Sequence, residues 1–285
     1  MYIQWFPGHM TKALRLIEKN IANIDVIGYV VDARAPFACF NPAFDKILKD
    51  LPCVFIINKC DLADDEKTEK WLTYFKSIGK DALEVSKENP HLINFIKASF
   101  ANTYKKNLER LKARGVYRPT RAMIVGVPNC GKSTIINSLS GKKSTSVGDK
   151  PGVTKGKQWI RLEEGLELLD TPGTLWSKFE DQTIATNLLF IGSISDNVVD
   201  IIQAAQLLLE KLNVLYPQLL AERFKLDNLT LKNSSVKILV EIAKKRGCLA
   251  KGQPDLTRAA NLILGEFRKG KIGKITLEMP ADYGM

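Results

Sequence analysis

Gly126-Val-Pro-Asn-Cys-Gly-Lys-Ser133 constrains this chain more than any other stretch. It fits G-x-x-x-x-G-K-[ST] and lies between an apolar run, Ala122-Met-Ile-Val125, and Thr134-Ile-Ile-Asn-Ser-Leu139. The first flank reads as a buried strand and the second as the start of a helix. Eight residues must therefore form a loop leading from a strand end to a helix N-terminus. Such a loop is an anion trap, because its backbone N–H groups and the helix N-terminus point at one place. Lys132 is placed to reach β- and γ-phosphates and is a catalytic candidate; the Ser133 hydroxyl is placed to hold Mg²⁺. Asn129, Cys130, Gly131 and Thr134 complete the phosphate-side nucleotide set. A nucleotide-binding domain usually begins at this loop, yet here about 120 residues come first.

Those residues alternate. Asp25–Asp32, Cys53–Asn58 and Ala82–Ser86 read as short strands, and Asn41–Leu48, Glu66–Ile78 and Leu92–Leu111 as helices. This is the signature of a parallel sheet covered on both faces. An earlier helix is expected from Thr11, as its N-cap, with Leu14, Ile17 and Ile21 on one face. Ala33-Arg-Ala-Pro36 breaks the first strand. Beyond the phosphate loop, residues 141–156 have no apolar period, and Gln158–Leu162 with Leu166–Asp170 read as a hairpin. Strand signals fade after Asp170-Thr-Pro-Gly173. Residues 184–267 are helical in pattern, and Ile272–Leu277 is a possible terminal strand. At 45% hydrophobic and 26% charged, 285 residues can bury two cores. The fold class is thus α/β, with a smaller helical domain after it, divided near residue 180.

Asn58-Lys59-Cys60-Asp61 fits N-K-x-D at a strand end. The Asp61 carboxylate only accepts, so it matches the N1–H and 2-amino donors of guanine; adenine has neither. Asn58 can face the other purine edge and brace neighbouring loops, and the Lys59 stem can lie along the ring. Ser86 and Lys87, at the next strand end, can offer backbone N–H groups to the guanine carbonyl. Asp170-x-x-Gly173 is a weak pattern alone. Its place at a strand end, some 40 residues past the phosphate loop, makes Asp170 a water-bridged Mg²⁺ ligand and Gly173 a γ-phosphate sensor. Thr154 is the candidate for the second Mg²⁺ hydroxyl. An ATPase reading is poor, because Asp61 faces the wrong purine edge.

The set resembles the translation-factor-related GTPases in permuted order, with base recognition ahead of the phosphate loop. With Trp5-Phe-Pro-Gly-His-Met10 and Asp32-Ala-Arg-Ala-Pro36 it resembles the circularly permuted GTPases, and among them the ribosome biogenesis GTPase A (YlqF) group. The resemblance covers nearly the whole chain and is most specific over residues 5–180. It implies a circularly permuted Ras-like sheet over 1–180 and a helical RNA- and ribosome-binding domain over 181–285. It further implies a role late in large (50S) subunit assembly, with hydrolysis stimulated by the particle. The 120 leading residues are then the back half of the nucleotide fold moved to the front. In Ras-like enzymes a glutamine after D-x-x-G orients the attacking water. Thr174 stands there, where the group usually has an apolar residue, so slow intrinsic turnover is expected. The resemblance gives water orientation to His9, whose imidazole suits that role near neutral pH. Asn129 matches GTPases that place K⁺ beside the phosphates as a fixed positive charge.

The net charge of +11 is spread along the chain, +5 over 1–120, +2 over 121–181 and +4 over 182–285. This points to a polyanionic partner, most simply rRNA in a large-subunit precursor. No apolar run approaches the ~20 residues of a membrane span, and the N-terminus has no basic-then-apolar signal pattern. Five scattered cysteines without metal spacing read as reduced thiols. A cytoplasmic monomer without membrane contact is expected. Two other readings remain open: a GTP-controlled RNA-binding placeholder whose hydrolysis is incidental, and a GTPase acting on another RNA particle.

Overall fold

The computed structural model describes residues 1–48, 51–86, 92–140, 158–162 and 165–285. A helix α1 (Gly8–Asn20) leads into β1 (Val26–Asp32), whose seven residues are all buried. Then come α2 (Pro42–Ile47), β2 (Cys53–Asn58), α3 (Asp65–Ser77), β3 (Asp81–Val85) and α4 (Leu92–Ala113). After β4 (Thr120–Val125) and α5 (Lys132–Ser140), β5 (Gln158–Leu162) and β6 (Leu166–Asp170) form the hairpin. The strands make one sheet in the order β3-β2-β1-β4-β6-β5, parallel except for β5. β1 and β4 lie side by side at its centre, and β1 is buried along its whole length, as a strand covered on both faces must be. The carboxyl ends of β1, β2, β4 and β6 therefore share one edge, where Asn58–Asp61, Gly126–Ser133 and Asp170–Gly173 follow their strands.

From α6 (Gln182–Phe190) the chain is mainly helical: α7 (Ile201–Leu215), α8 (Pro217–Phe224), α9 (Asn228–Leu231), α10 (Ser235–Lys245) and α11 (Leu256–Arg268). α7, α10 and α11 pack together through Leu208, Leu212, Ile238, Ile242 and Ile263, all buried. A small hairpin, β7 (Leu249–Ala250) and β8 (Gln253–Pro254), interrupts the helices where only a break was expected. Its turn places Lys251 and Gly252 at positive φ, as tight hairpins require.

Two local expectations change and one holds. Thr11 does not start α1; the helix begins at Gly8 with Pro7 at the N-cap, because proline presets the entry angle. Asn41 does cap α2, accepting from the Ala43 N–H at 3.0 Å. Residues 272–277 form no sheet strand but an extended strap. Ile275 N–H donates to the Leu62 carbonyl at 3.1 Å and Leu277 N–H to that of Arg34 at 2.7 Å. The Thr276 hydroxyl bonds the Ala33 carbonyl and accepts from Asp64 N–H, both at 3.2 Å. Glu278 is buried and accepts from Ala38 N–H, the Asn187 amide and the Tyr283 hydroxyl. Burial of Ile275 and Leu277 contributes about 2 kcal/mol each. The strap thus fixes the loop ends after β1 and β2 against the helical segment. No helix among the described residues is long and apolar enough to cross a membrane.

Candidate nucleotide site

β4 delivers residues 126–131 into the turn before α5. Asn129 (φ 59°) and Gly131 (φ 103°) both hold left-handed backbone. At Gly131 a Cβ would run into the Asn58 amide, so the glycine is needed for close approach as well as for its φ. Lys132 is buried with its Nζ 2.8 Å from the Val127 carbonyl, folded along the loop it would serve.

β2 brings the base-reading motif against this loop. The Asn58 amide donates to the Cys130 carbonyl at 2.8 Å. Lys59 sits at φ 64°, a strained setting for a side-chain-bearing residue. Its Nζ is fixed at 2.6 Å from the Asn129 carbonyl and 2.8 Å from Asp32 Oδ2. Asp61 Oδ1 is buried and has no hydrogen-bond partner among the described residues. An acceptor withdrawn from water and left unpaired costs about 1–3 kcal/mol, so its place implies a donor that arrives with the ligand. Ser86 lies just past β3 and is half-buried; Lys87 is outside the described residues.

β6 supplies the other end. Both Asp170 carboxylate oxygens are buried without a partner among the described residues. Burial pushes its pKa up to about 6, against the opposing pulls of Lys132 and of the neighbouring Thr171 N–H, whose geometry falls short of a hydrogen bond. A carboxylate beside a phosphate loop with both oxygens uncommitted fits an outer ligand of a hydrated divalent ion, so the residues present fit Mg²⁺. Ser133, in the first turn of α5, is half-buried; Thr154 lies outside the described residues. The Thr171 hydroxyl donates to the Ile124 carbonyl at 2.6 Å, pinning this segment to β4.

Gly173 touches the phosphate loop itself. A Cβ there would lie 2.6 Å from Pro128 Cα and 3.0 Å from Lys132 Nζ. Gly173→Ala is expected to push the segment off the loop and lower GTP turnover about 10²-fold, with a smaller loss of nucleotide affinity. Parallel measurement of turnover and equilibrium binding checks the split. Thr174 is fully buried: its N–H meets the Gly126 carbonyl at 3.3 Å and its hydroxyl and carbonyl accept from Asn41. It is a packing residue. His9 is exposed on the first turn of α1, and its side chain makes no hydrogen bond or ion pair with a described residue. The structure therefore brings Asn58, Lys59, Cys130, Gly131, Lys132, Asp170 and Gly173 together and leaves His9 unlinked to them. The Asn129 amide nitrogen donates to the Gly192 carbonyl at 2.7 Å.

Sequence reasoning singled out Asp32-Ala-Arg-Ala-Pro36 only as part of a resemblance and gave Asp32 and Arg34 no role in the site. Arg34 grips Asp32 with Nε–Oδ1 at 2.9 Å and Nη2–Oδ2 at 2.8 Å, both residues buried. Two opposite charges two residues apart at the end of an all-apolar strand were the available signal.

A model of the 50S ribosome-binding GTPase family matches residues 121–235. A ribosome biogenesis GTPase A from Bacillus cereus is 40% identical over the whole of this chain and 96% of its own length. The chain belongs to the ribosome biogenesis GTPase A family. Two solved structures agree in fold at 32% identity. A GDP-bound YlqF covers 93% of this chain and 99% of its own at a TM-score of 0.67. A GNP-bound YlqF from T. maritima covers 94% and 98% at 0.64. The sheet order, with base motif ahead of phosphate loop, is the permuted arrangement of the ribosome biogenesis GTPase A family. This chain is accordingly an enzyme that hydrolyses GTP, and GTPases of this family generally use Mg²⁺.

Proposed function

We propose that this GTPase is a cytoplasmic, monomeric assembly factor that acts late in large-subunit (50S) maturation and hydrolyses GTP when the particle engages it. The observation that carries the nucleotide half is the set of buried carboxylate oxygens without a partner among the described residues, one on Asp61 and both on Asp170. Asp61 waits on the base side of the phosphate loop and Asp170 on the phosphate side. Asn58, Lys59 and Asp61, with Ser86 and Lys87, hold guanine of GTP or GDP. Asn129, Cys130, Gly131, Lys132, Ser133 and Thr134 hold the phosphates, and Gly173 senses the γ-phosphate. Ser133, Asp170 and Thr154 would hold Mg²⁺, which when bound neutralises charge on the phosphates. K⁺ beside Asn129 would add positive charge there. His9 orients the water, since Thr174 cannot.

Residues 1–180 form the permuted GTPase domain and 181–285 the RNA-contacting one. Neutralisation of rRNA phosphates by a chain of net charge +11 supports that partner. One observation favours a second reading, in which GTP controls RNA binding and hydrolysis is incidental: His9 has no bonded link to the phosphate loop.

Single-turnover hydrolysis with purified 50S and 30S particles separates these. We expect co-sedimentation with 50S particles, about 10²-fold faster turnover on them, a faster rate in KCl than in NaCl, and loss of the stimulation in His9→Ala. Binding to 30S particles alone would move the role to another RNA particle. Binding without acceleration would favour the placeholder.

A further inference from the structure

Arg34 lies at the centre of a chain of contacts that the nucleotide site does not explain. On one side its guanidinium forks onto both oxygens of Asp32, at 2.9 and 2.8 Å. Asp32 Oδ2 also accepts from Lys59 Nζ at 2.8 Å, and that same Nζ reaches the Asn129 carbonyl at 2.6 Å. On the other side Arg34 Nη1 donates to the carbonyls of Phe267 and Arg268 at 3.4 and 3.2 Å, and the guanidinium stands 5.3 Å from the centre of the Phe267 ring. The negative end of α11 thus meets the one buried arginine that holds Asp32. Arg268, the last residue of α11, donates to the Leu189 and Phe190 carbonyls at the end of α6 and pairs with Asp196 at 2.7 Å. Two residues past Phe190, the Gly192 carbonyl accepts from the Asn129 amide. The contacts close a ring that starts and ends at Asn129 in the phosphate loop.

We propose that Arg34 is a positioning residue: acting through Asp32 it sets Lys59, and its bonds to the end of α11 make that setting depend on the helical segment. This rests on the reading of Asn58–Asp61 as the guanine contact. Lys59 holds a left-handed backbone, which persists only while its surroundings over-determine it. Its ammonium has two anchors, Asp32 and the Asn129 carbonyl. Without Arg34, Asp32 would be a buried carboxylate with Lys59 as its sole charged partner, and would draw the ammonium off the phosphate loop. Lysine in place of Arg34 could meet one Asp32 oxygen. It has no planar fork with which to hold both oxygens and the α11 carbonyls together.

A double-mutant cycle on the full chain tests this, read as the dissociation constant of a fluorescent methylanthraniloyl-GDP and as KM and kcat for GTP. Lys59→Met and Arg34→Met are each expected to weaken binding roughly tenfold. The double variant should be no weaker than the worse single variant, because groups acting in series are not additive. KM should rise more than kcat falls, and the affinity loss should persist well below each variant's melting temperature. Arg34→Lys should recover only part of the loss. If Arg34→Met does not fold, Arg34→Lys and Asp32→Asn carry the cycle. Losses that multiply would overturn the proposal, full rescue by lysine would overturn the link to α11, and an affinity loss that merely follows thermal stability would overturn the positioning role. A Lys59→Met protein with unchanged affinity would instead remove the guanine-site reading on which the proposal stands, and the proposal with it.

Discussion

Asp61→Asn is expected to lose guanine nucleotides and gain xanthine ones. The Asp61 carboxylate is half-enclosed beside the phosphate loop, with one oxygen buried and unpaired among the described residues. A carboxylate there can only accept, which suits the N1–H and 2-amino donors of guanine. Asparagine turns one acceptor into a donor. The 2-amino group of guanine then faces an N–H, whereas the C2 carbonyl of xanthine finds a partner. Sites built on buried hydrogen bonds reject the mismatched ligand by about 10⁴–10⁵-fold. A fall in GTP affinity of that order, with recovery of binding and turnover in xanthosine triphosphate, is the expected pattern. ATP should bind poorly to both proteins. If the variant kept GTP affinity within about tenfold, some other group would be reading the base.

Asp170→Asn is expected to stabilise the nucleotide-free protein while disabling it. Burial raises the Asp170 pKa from 3.8 to about 6, and neither oxygen has a partner among the described residues. Below pH 3.8 the carboxyl is protonated both folded and unfolded, so it costs nothing. Between there and pH 6 the unfolded chain releases the proton and the folded chain keeps it, so stability falls as pH rises. Above pH 6 the full penalty applies, about 3 kcal/mol at 1.36 kcal/mol per pKa unit. The neutral amide avoids most of it. Melting in EDTA without nucleotide should show the variant about 2 kcal/mol more stable at pH 8. That gain should shrink through the range from pH 6 to 4 and vanish below it. The same variant should bind Mg²⁺–GTP about 10–100-fold more weakly, as expected for an outer ligand of the ion. A gain that stayed level from pH 4 to 8 would place the cause elsewhere than in the charge. The pair of results would identify this carboxylate as a site where function is maintained against stability.

Much of this was legible beforehand for a simple reason. β1 and β2 are apolar runs closed by Asp32 and Asn58, and β4 carries the apolar run Ala122–Val125 up to Gly126; such runs have few ways to be anything but central strands. The contiguous motifs at 58–61 and 126–133 carry their spacing within themselves. Asp32 and Arg34 do not. Their meaning depends on Lys59, and on Phe267 and Arg268 more than 230 positions away, where Arg34 donates to two carbonyls. The strap shows a related limit. Ile275 and Leu277 do alternate as in a strand, and their N–H groups do point one way. Their partners are loop carbonyls of Leu62 and Arg34, which no periodicity can reveal. Thr174 was legible as a poor substitute for glutamine, but its burial against Asn41 is a tertiary fact.

The strap has a consequence for how the protein is made. The Asp64 N–H, at the end of the base-reading segment, is satisfied by Thr276, 212 positions further along. At roughly 5–20 residues per second of synthesis, that partner emerges about 10–40 s later. Over that interval the nascent chain carries the base-reading motif, and later the phosphate loop, without the segment that fixes their supports. Full bracing of the loops after β1 and β2 therefore waits on a segment made more than two hundred residues later, and the order of synthesis sets when the two ends of the site are first held together.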